Sequence, residues 1–197
     1  MSVKDFVQQR RDALIAMRRD FHMYPEPAWL EYRSAAKVAD RLISLGYDVA
    51  LGADVLDLDS RMGLPSDEVM KAAMDRAIEE GANLELVEKM GYGKTAIVAT
   101  MNFGGEGSVV AFRVDMDSND VIETKEDNHV PTKKGFRSCH DKAMHACGHD
   151  AHMTMGLGLA EYVAAHKDEF KGTIKLIFQP AEEGVRGAKA MAEAGVV

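Results

Sequence analysis

Nine consecutive residues, Met144-His145-Ala146-Cys147-Gly148-His149-Asp150-Ala151-His152, carry three imidazoles, one thiol and one carboxylate. These are the side chains that bind divalent metals, and a packed core has no reason to gather so many of them. A lone cysteine is ordinarily a small interior residue, so the density of the cluster, rather than any one member, points to a metal site. A thiol and an imidazole two residues apart cannot share one face of a helix, but they converge in a turn, which Gly148 makes easy. Asp150 then reads as the N-cap of a helix of roughly four turns, because Met153, Met155, Leu157, Leu159 and Ala160 follow it. A cysteine just before such a helix would feel its positive end, which favours the thiolate.

Two acidic motifs belong to the same chemistry. Asp115-Met116-Asp117 follows a β-rich run ending at Val114, and Glu182-Glu183 follows another ending at Phe178. Both lie past strand C-termini, which is the ligand edge of an open sheet. If the chain is extended there, Glu182 and Glu183 point to opposite sides, so one can bind metal while the other serves as general base. Asp115 and Asp117 share a side, and one of them could orient a metal ligand. An acidic pair alone is ordinarily a solvated loop, and it is the neighbouring Cys/His cluster that changes the reading.

The elements that must position these groups follow from periodicity. A helix is expected from about Ser2 to His22, ended by Pro25 and Pro27, and a second from Glu31 to Leu45, ended by Gly46. Tyr47 to Leu51 is a candidate strand, and Pro65 to Glu80 an amphipathic helix whose methionines fill a core. Thr95–Phe103 and Ser108–Val114 read as a hairpin across Gly104-Gly105-Glu106-Gly107. Glu123–Asp141 shows no apolar period and reads as a surface loop. Thr173–Phe178 is a short apolar strand, and Arg186–Ala194 a last helix stopped by Gly195. Strands interleaved with helices imply an α/β layered fold around a mixed sheet.

Composition sets the limits. The 197 residues are 46% hydrophobic and 28% charged, enough for a sizeable core, and no shift in composition marks a second domain. A net charge of −8 excludes a general nucleic-acid binder, which needs a basic face. The first residues lack the apolar centre of a signal peptide and no run reaches the ~18 apolar residues of a membrane span, so a cytoplasmic location is the expectation. Two cysteines, Cys139 and Cys147, suit a ligand role better than a disulfide framework, and Cys139 alone receives no assignment.

Four segments together resemble the M20 metallopeptidase family, in its amidohydrolase branch of N-acyl-amino-acid hydrolases. They are Arg18-Arg19-Asp20-Phe21-His22, Phe112-Arg113-Val114-Asp115-Met116-Asp117, His145-Ala146-Cys147-Gly148-His149-Asp150 and Phe178-Gln179-Pro180-Ala181-Glu182-Glu183-Gly184. The resemblance implies a three-layer α/β/α, zinc-exopeptidase-like catalytic domain and a centre of two divalent ions. It implies Cys147, His149 and Glu183 as metal ligands, Glu182 as general base and Asp117 as the supporting aspartate. His145 and His152 match positions not usually counted as ligands. The ions would be zinc, which thiolate and imidazole favour, or manganese, which carboxylates also admit.

The implied reaction is metal-assisted hydrolysis of the amide bond of an N-acyl amino acid. Ser60-Arg61-Met62-Gly63-Leu64-Pro65 and the helical insertion after it narrow the implied substrate to p-aminobenzoyl-glutamate and imply a homologous partner chain, in a homo- or hetero-oligomer. Family members are about twice as long, with a lid and dimerisation domain and further histidine ligands after the Glu-Glu motif, and no His follows Glu183 here. The expectation is therefore the N-terminal part of the catalytic domain, poorly active alone, with apolar sheet edges prone to self-association. The competing readings are a non-catalytic metal-binding or regulatory component of a hydrolase complex, and a redox protein using Cys147, which has no Cys-x-x-Cys partner.

Overall fold

The structure, a computed structural model, describes all residues, Met1–Val197. Helix α1 (Val3–Met23) is capped by Ser2, whose side chain accepts the Asp5 N–H, and it ends just before Pro25. Helix α2 (Tyr32–Ser44) buries Ala35, Val38, Ala39 and Leu42 and stops ahead of Gly46, whose φ of 83° is left-handed. Strand β1 (Asp48–Leu51) is followed by α3 (Asp67–Glu79), capped by Ser66, and by α4 (Leu84–Lys89), capped by Asn83. Helix α4 is absent from the sequence expectations, being too short to display a helical period.

Strands β2 (Ile97–Gly104) and β3 (Val109–Asp115) precede a short helix α5 (Val130–Lys133), the long α6 (His149–Ala165), β4 (Gly172–Gln179) and α7 (Gly187–Glu193). The sheet is mixed, in the order β1-β2-β4-β3, with β1/β2 and β2/β4 antiparallel and β3/β4 parallel. The expected β2–β3 hairpin does not form, because β4 lies between the two strands. The glycines after β2 step across the start of β4 rather than turning back. A Cβ on Gly107 would come within 2.7 Å of the Gly172 nitrogen, so the crossing requires glycine.

Alternation along the strands divides the core between two faces. Ile97, Ala99, Leu176 and Phe178 face a cluster that includes Phe21, Tyr32, Leu42, Met153 and Leu157 from α1, α2 and α6. Val98 and Ile177 face the other way, against Trp29, Val55, Leu56, Ala190 and Met191. This is the α/β layered arrangement with a mixed sheet that the sequence predicts. The outer edge of β3 is unpaired and carries exposed Val109, Val110 and Phe112 beside an apolar groove of about 650 Å³ between α1 and α6. No helix is long and apolar enough to cross a membrane.

The segment expected to be a surface loop, Glu123–Asp141, is partly built inward. It contains α5, and Glu123 is buried with its carboxylate taking His22 Nε2 (3.0 Å), His129 Nε2 (2.7 Å) and the Ser138 N–H (2.6 Å). Aperiodic polar sequence conceals a carboxylate that is buried because it is fully partnered.

Candidate metal centre

The candidate residues converge where the C-terminal ends of β3 and β4 meet the start of α6. Just past β3, Asn119 and Met144 exchange both backbone hydrogen bonds, which ties the acidic motif to the Cys/His motif. The Asn119 side-chain oxygen also accepts the N–H groups of Ala146 (3.2 Å) and Cys147 (3.0 Å), fixing the turn that presents the thiol. Sequence reading misses Asn119. Its one available signal is the affinity of Asn side chains for nearby turn amides, and the partner amides are distant in sequence.

The N-cap of α6 is Gly148, left-handed at φ 93°, and not Asp150. Asp150 lies in the first turn, fully buried, and accepts from His22 Nδ1 (2.9 Å) and Arg18 Nε (3.2 Å). With both ring nitrogens directed at carboxylates, His22 is an imidazolium bridge between Asp150 and Glu123. Burial opposes its charge, but the hydrogen bonds to Asp150 and Glu123 prevail and raise its pKa.

Asp117 joins the two motifs. Its backbone carbonyl accepts from His149 Nδ1 (2.7 Å), while its carboxylate accepts the N–H groups of Glu182 (2.9 Å) and Glu183 (3.0 Å). This fixes the His149 tautomer and leaves Nε2 for a metal, the arrangement in which ligating histidines are usually held. His149 Nε2 lies 3.7 Å from Glu182 Oε2 and 3.9 Å from Glu183 Oε1. The two glutamates therefore face the same imidazole instead of opposite sides. The extended backbone assumed for that expectation is absent, since residues 182–185 form a turn and Ala181 is left-handed at φ 53°.

Ligand atoms of Cys147, His149 and Glu183 all lie within 4.8 Å of one another, as do those of Asp115, His149 and His152. A thiol, an imidazole nitrogen and a carboxylate oxygen make a donor set that suits zinc. With Nδ1 committed to Asp117, His149 has one lone pair to give and can serve one ion at a time. In the second group, Asp115 Oδ2 already meets His152 Nδ1 at 3.3 Å.

Charge at the site is concentrated and negative. The Cys147 thiol is pushed up by its hydrogen bond to Glu183, by burial and by Glu182 and Asp115, the reverse of the expected dipole effect. Burial would lower His149, but Asp117 and Asp115 outweigh it and bring it to about 9. Both shifts record an excess of negative charge that a divalent cation would neutralise. His145 is buried with no hydrogen-bond partner on either nitrogen, and burial holds it neutral, with a pKa of about 4. Glu31, fully buried, is raised to about 8 by burial and by the charge of Asp117.

Cys139, unassigned from sequence, lies apart from this centre with Glu80 and His140, and His140 Nε2 meets Glu80 Oε1 at 2.7 Å. Of the two cysteines it is Cys147 that stands beside His149 and Glu183.

Residues 111–197 match the sequence model of peptidase family M20/M25/M40. The chain is 48% identical over 195 residues to indole-3-acetyl-aspartic acid hydrolase of Enterobacter agglomerans, a match that covers 99% of this chain and 45% of the relative. It is 47% identical to one component chain of the p-aminobenzoyl-glutamate hydrolase of Escherichia coli, covering 100% of this chain and 45% of that one. Among solved structures, the aminobenzoyl-glutamate utilization protein of Klebsiella pneumoniae superimposes with a TM-score of 0.83 at 42% identity, over 100% of this chain and 43% of that one. The YXEP protein of Bacillus subtilis, described as a dinuclear metal binding peptidase of the M20 family, does so with a TM-score of 0.66 at 27% identity, over 98% and 40%. The chain thus spans a little under half the length of these relatives. Its residues 111–197 carry the domain of peptidase family M20/M25/M40, a family with dinuclear metal-binding members.

Proposed function

We propose that this chain carries part of the metal centre of a hydrolase that cleaves the amide bond of an N-acyl amino acid, with p-aminobenzoyl-glutamate as the specific substrate. The observation that carries the reading is the approach of Cys147, His149 and Glu183 to one another, with Glu182 left over beside the same imidazole. The two relatives of nearly equal identity are named for aspartic acid and glutamate bearing ring-containing acyl groups, which supports an acidic amino acid as the product amine. We further propose that residues 1–197 correspond to the N-terminal part of the catalytic domain, and that a homologous chain is the partner. The Escherichia coli relative is named as one component of a larger hydrolase, which supports such a partner. Two free thiols suit a reducing, cytoplasmic setting.

Cys147, His149 and Glu183 would hold a zinc or manganese ion, and a second ion would need ligands in addition to these. A bound divalent ion supplies Lewis acidity, polarising the amide carbonyl and bringing the pKa of water toward ~7. Glu182 takes the proton from water as it adds to the amide carbon. As the C–N bond breaks, Glu182 returns that proton to the nitrogen, so one water yields one carboxylic acid and one amine. Asp117 holds His149 and both glutamate amides in register throughout.

The test is metal content by mass spectrometry on the purified chain and on Cys147→Ala and Glu183→Ala. Zinc or manganese in the parent and in neither variant is the expected result. Metal retained in both variants would remove the basis of the reading. Release of p-aminobenzoate when the remaining part of the relatives' sequence is supplied as a second polypeptide tests the substrate.

A further inference from the structure

Three consecutive backbone N–H groups in the Glu182-Glu183 turn are directed at two buried carboxyl groups. Glu182 and Glu183 donate to Asp117, and the preceding residue, Ala181, donates to Glu31 Oε1 at 2.9 Å. Glu31 is fully buried, and its other oxygen accepts the Thr95 hydroxyl at 2.7 Å. Glu31 stands at the N-cap position of α2 but makes no side-chain cap there, so both oxygens are committed to distant parts of the fold. Ala181 has the left-handed φ of 53°, which costs an alanine on the order of 1 kcal/mol and persists only where the surroundings enforce it. That conformation turns successive amides toward one side, making the concave nest in which carboxylates sit.

We propose that Glu31 is a positioning residue for the metal centre. By holding the Ala181 amide it keeps the turn left-handed, and so fixes the direction in which the Glu182 and Glu183 side chains leave the chain toward His149. The proposal rests on the reading of Glu183 as a metal ligand. Glu31 touches neither glutamate side chain and acts only through the backbone. Without it, the Ala181 N–H is a buried donor with no acceptor, and Ala181 itself has no exposed surface through which water could replace the lost partner. The turn is then free to relax toward right-handed φ, which swings the Glu182 and Glu183 amides off Asp117. Glutamine at this position retains a carbonyl acceptor for Ala181 and an amide group facing Thr95, so it should keep the clamp. Leucine fills the space and removes the acceptor.

The experiment uses the full 197-residue chain and cobalt(II) as the probe. Its thiolate charge-transfer band reports Cys147, and its visible bands report the rest of the ligand set. Glu31→Gln is expected to bind cobalt within about twofold of the parent. Glu31→Leu is expected to bind at least tenfold more weakly, keeping the thiolate band while its visible bands change as they do in Glu183→Ala. Amide hydrogen exchange over residues 179–186, measured without metal, reads the clamp directly. Exchange there should quicken about tenfold or more in Glu31→Leu and not in Glu31→Gln, while α6 and β2 exchange as in the parent. Unchanged exchange and unchanged cobalt affinity in Glu31→Leu would overturn the proposal, as would equal losses in the two variants. If the parent binds no cobalt but its exchange responds as described, the clamp stands and the metal reading falls. Should Glu31→Leu fail to fold, Thr95→Val loosens the same carboxyl group from its far side. Exchange at residues 179–186 should then rise severalfold, and no rise would overturn the proposal.

Discussion

Replacing His22 by alanine should destabilise the chain by about 3–4 kcal/mol near pH 5.5 and by markedly less near pH 9. The substitution removes two charge-assisted hydrogen bonds, one of 2.9 Å to Asp150 and one of 3.0 Å to Glu123. Each is worth about 1.5–3 kcal/mol. Neither carboxylate is abandoned, which keeps the sum toward the lower end of that range. Asp150 retains Arg18 and the Ala151 N–H, and Glu123 retains His129 and the Ser138 N–H. The pH dependence follows from the raised pKa of His22. A histidine that binds its proton more tightly when folded contributes stability that is fully present below its unfolded pKa, about 6.5. That contribution fades as pH rises through the folded value, and alanine has none to lose, so parent and variant converge at high pH. In the parent, burial would raise Asp150 and Glu123, but the hydrogen bonds from His22 outweigh it and lower both, so the two carboxylates are ionised at pH 5.5. Urea unfolding of both proteins at the two pH values measures the difference. A loss below about 1 kcal/mol near pH 5.5, or an equal loss at both, would refute the buried imidazolium bridge.

Asp117→Asn turns one of two amide acceptors into a donor facing an N–H, and should cost about 2–4 kcal/mol in urea unfolding and weaken metal binding in parallel; stability equal to the parent would exclude its role as the joint of the site. Val185 is 82% exposed and left-handed at φ 54°, strained for a β-branched side chain, so Val185→Gly should raise stability by about 0.5–1 kcal/mol after the entropic cost of glycine. A lower urea midpoint would contradict that. A Cβ on Gly187 would overlap the Pro180 carbonyl oxygen, so Gly187→Ala should cost about 3 kcal/mol, read as a lower melting temperature.

The parts of the site carried by short-range chemistry are legible in the sequence. Cys147 and His149 are two residues apart, and Glu182 and Glu183 follow an apolar strand, so spacing and strand position suffice to bring them to one sheet edge. The groups that hold them are not legible. Asn119, Glu31 and Glu123 read as ordinary polar residues until the fold supplies their partners, which for Glu31 is an amide 150 positions away. The hairpin expectation fails for the same reason, since turn composition reports on its own neighbours and not on a strand that arrives later. Asp150 is misread as a cap because a carboxylate at a helix start normally serves the helix, whereas here His22 claims it.

The position of β4 between β2 and β3 has a kinetic consequence. The strand that joins the two halves of the sheet is the last of the four in chain order, and β3 can pair with it only after α5 and α6 have been made. Such distant pairings delay folding, because the entropy of loop closure is lost before the contacts form. During synthesis the chain should therefore acquire its helices and the β1–β2 ribbon early, and close its sheet in one late step once β4 leaves the ribosome. Nascent chains whose emerged part stops before Gly172 should be protease-sensitive throughout β3, while those with Gln179 outside the ribosome are protected, so a single strand decides whether everything made before it has a core to join.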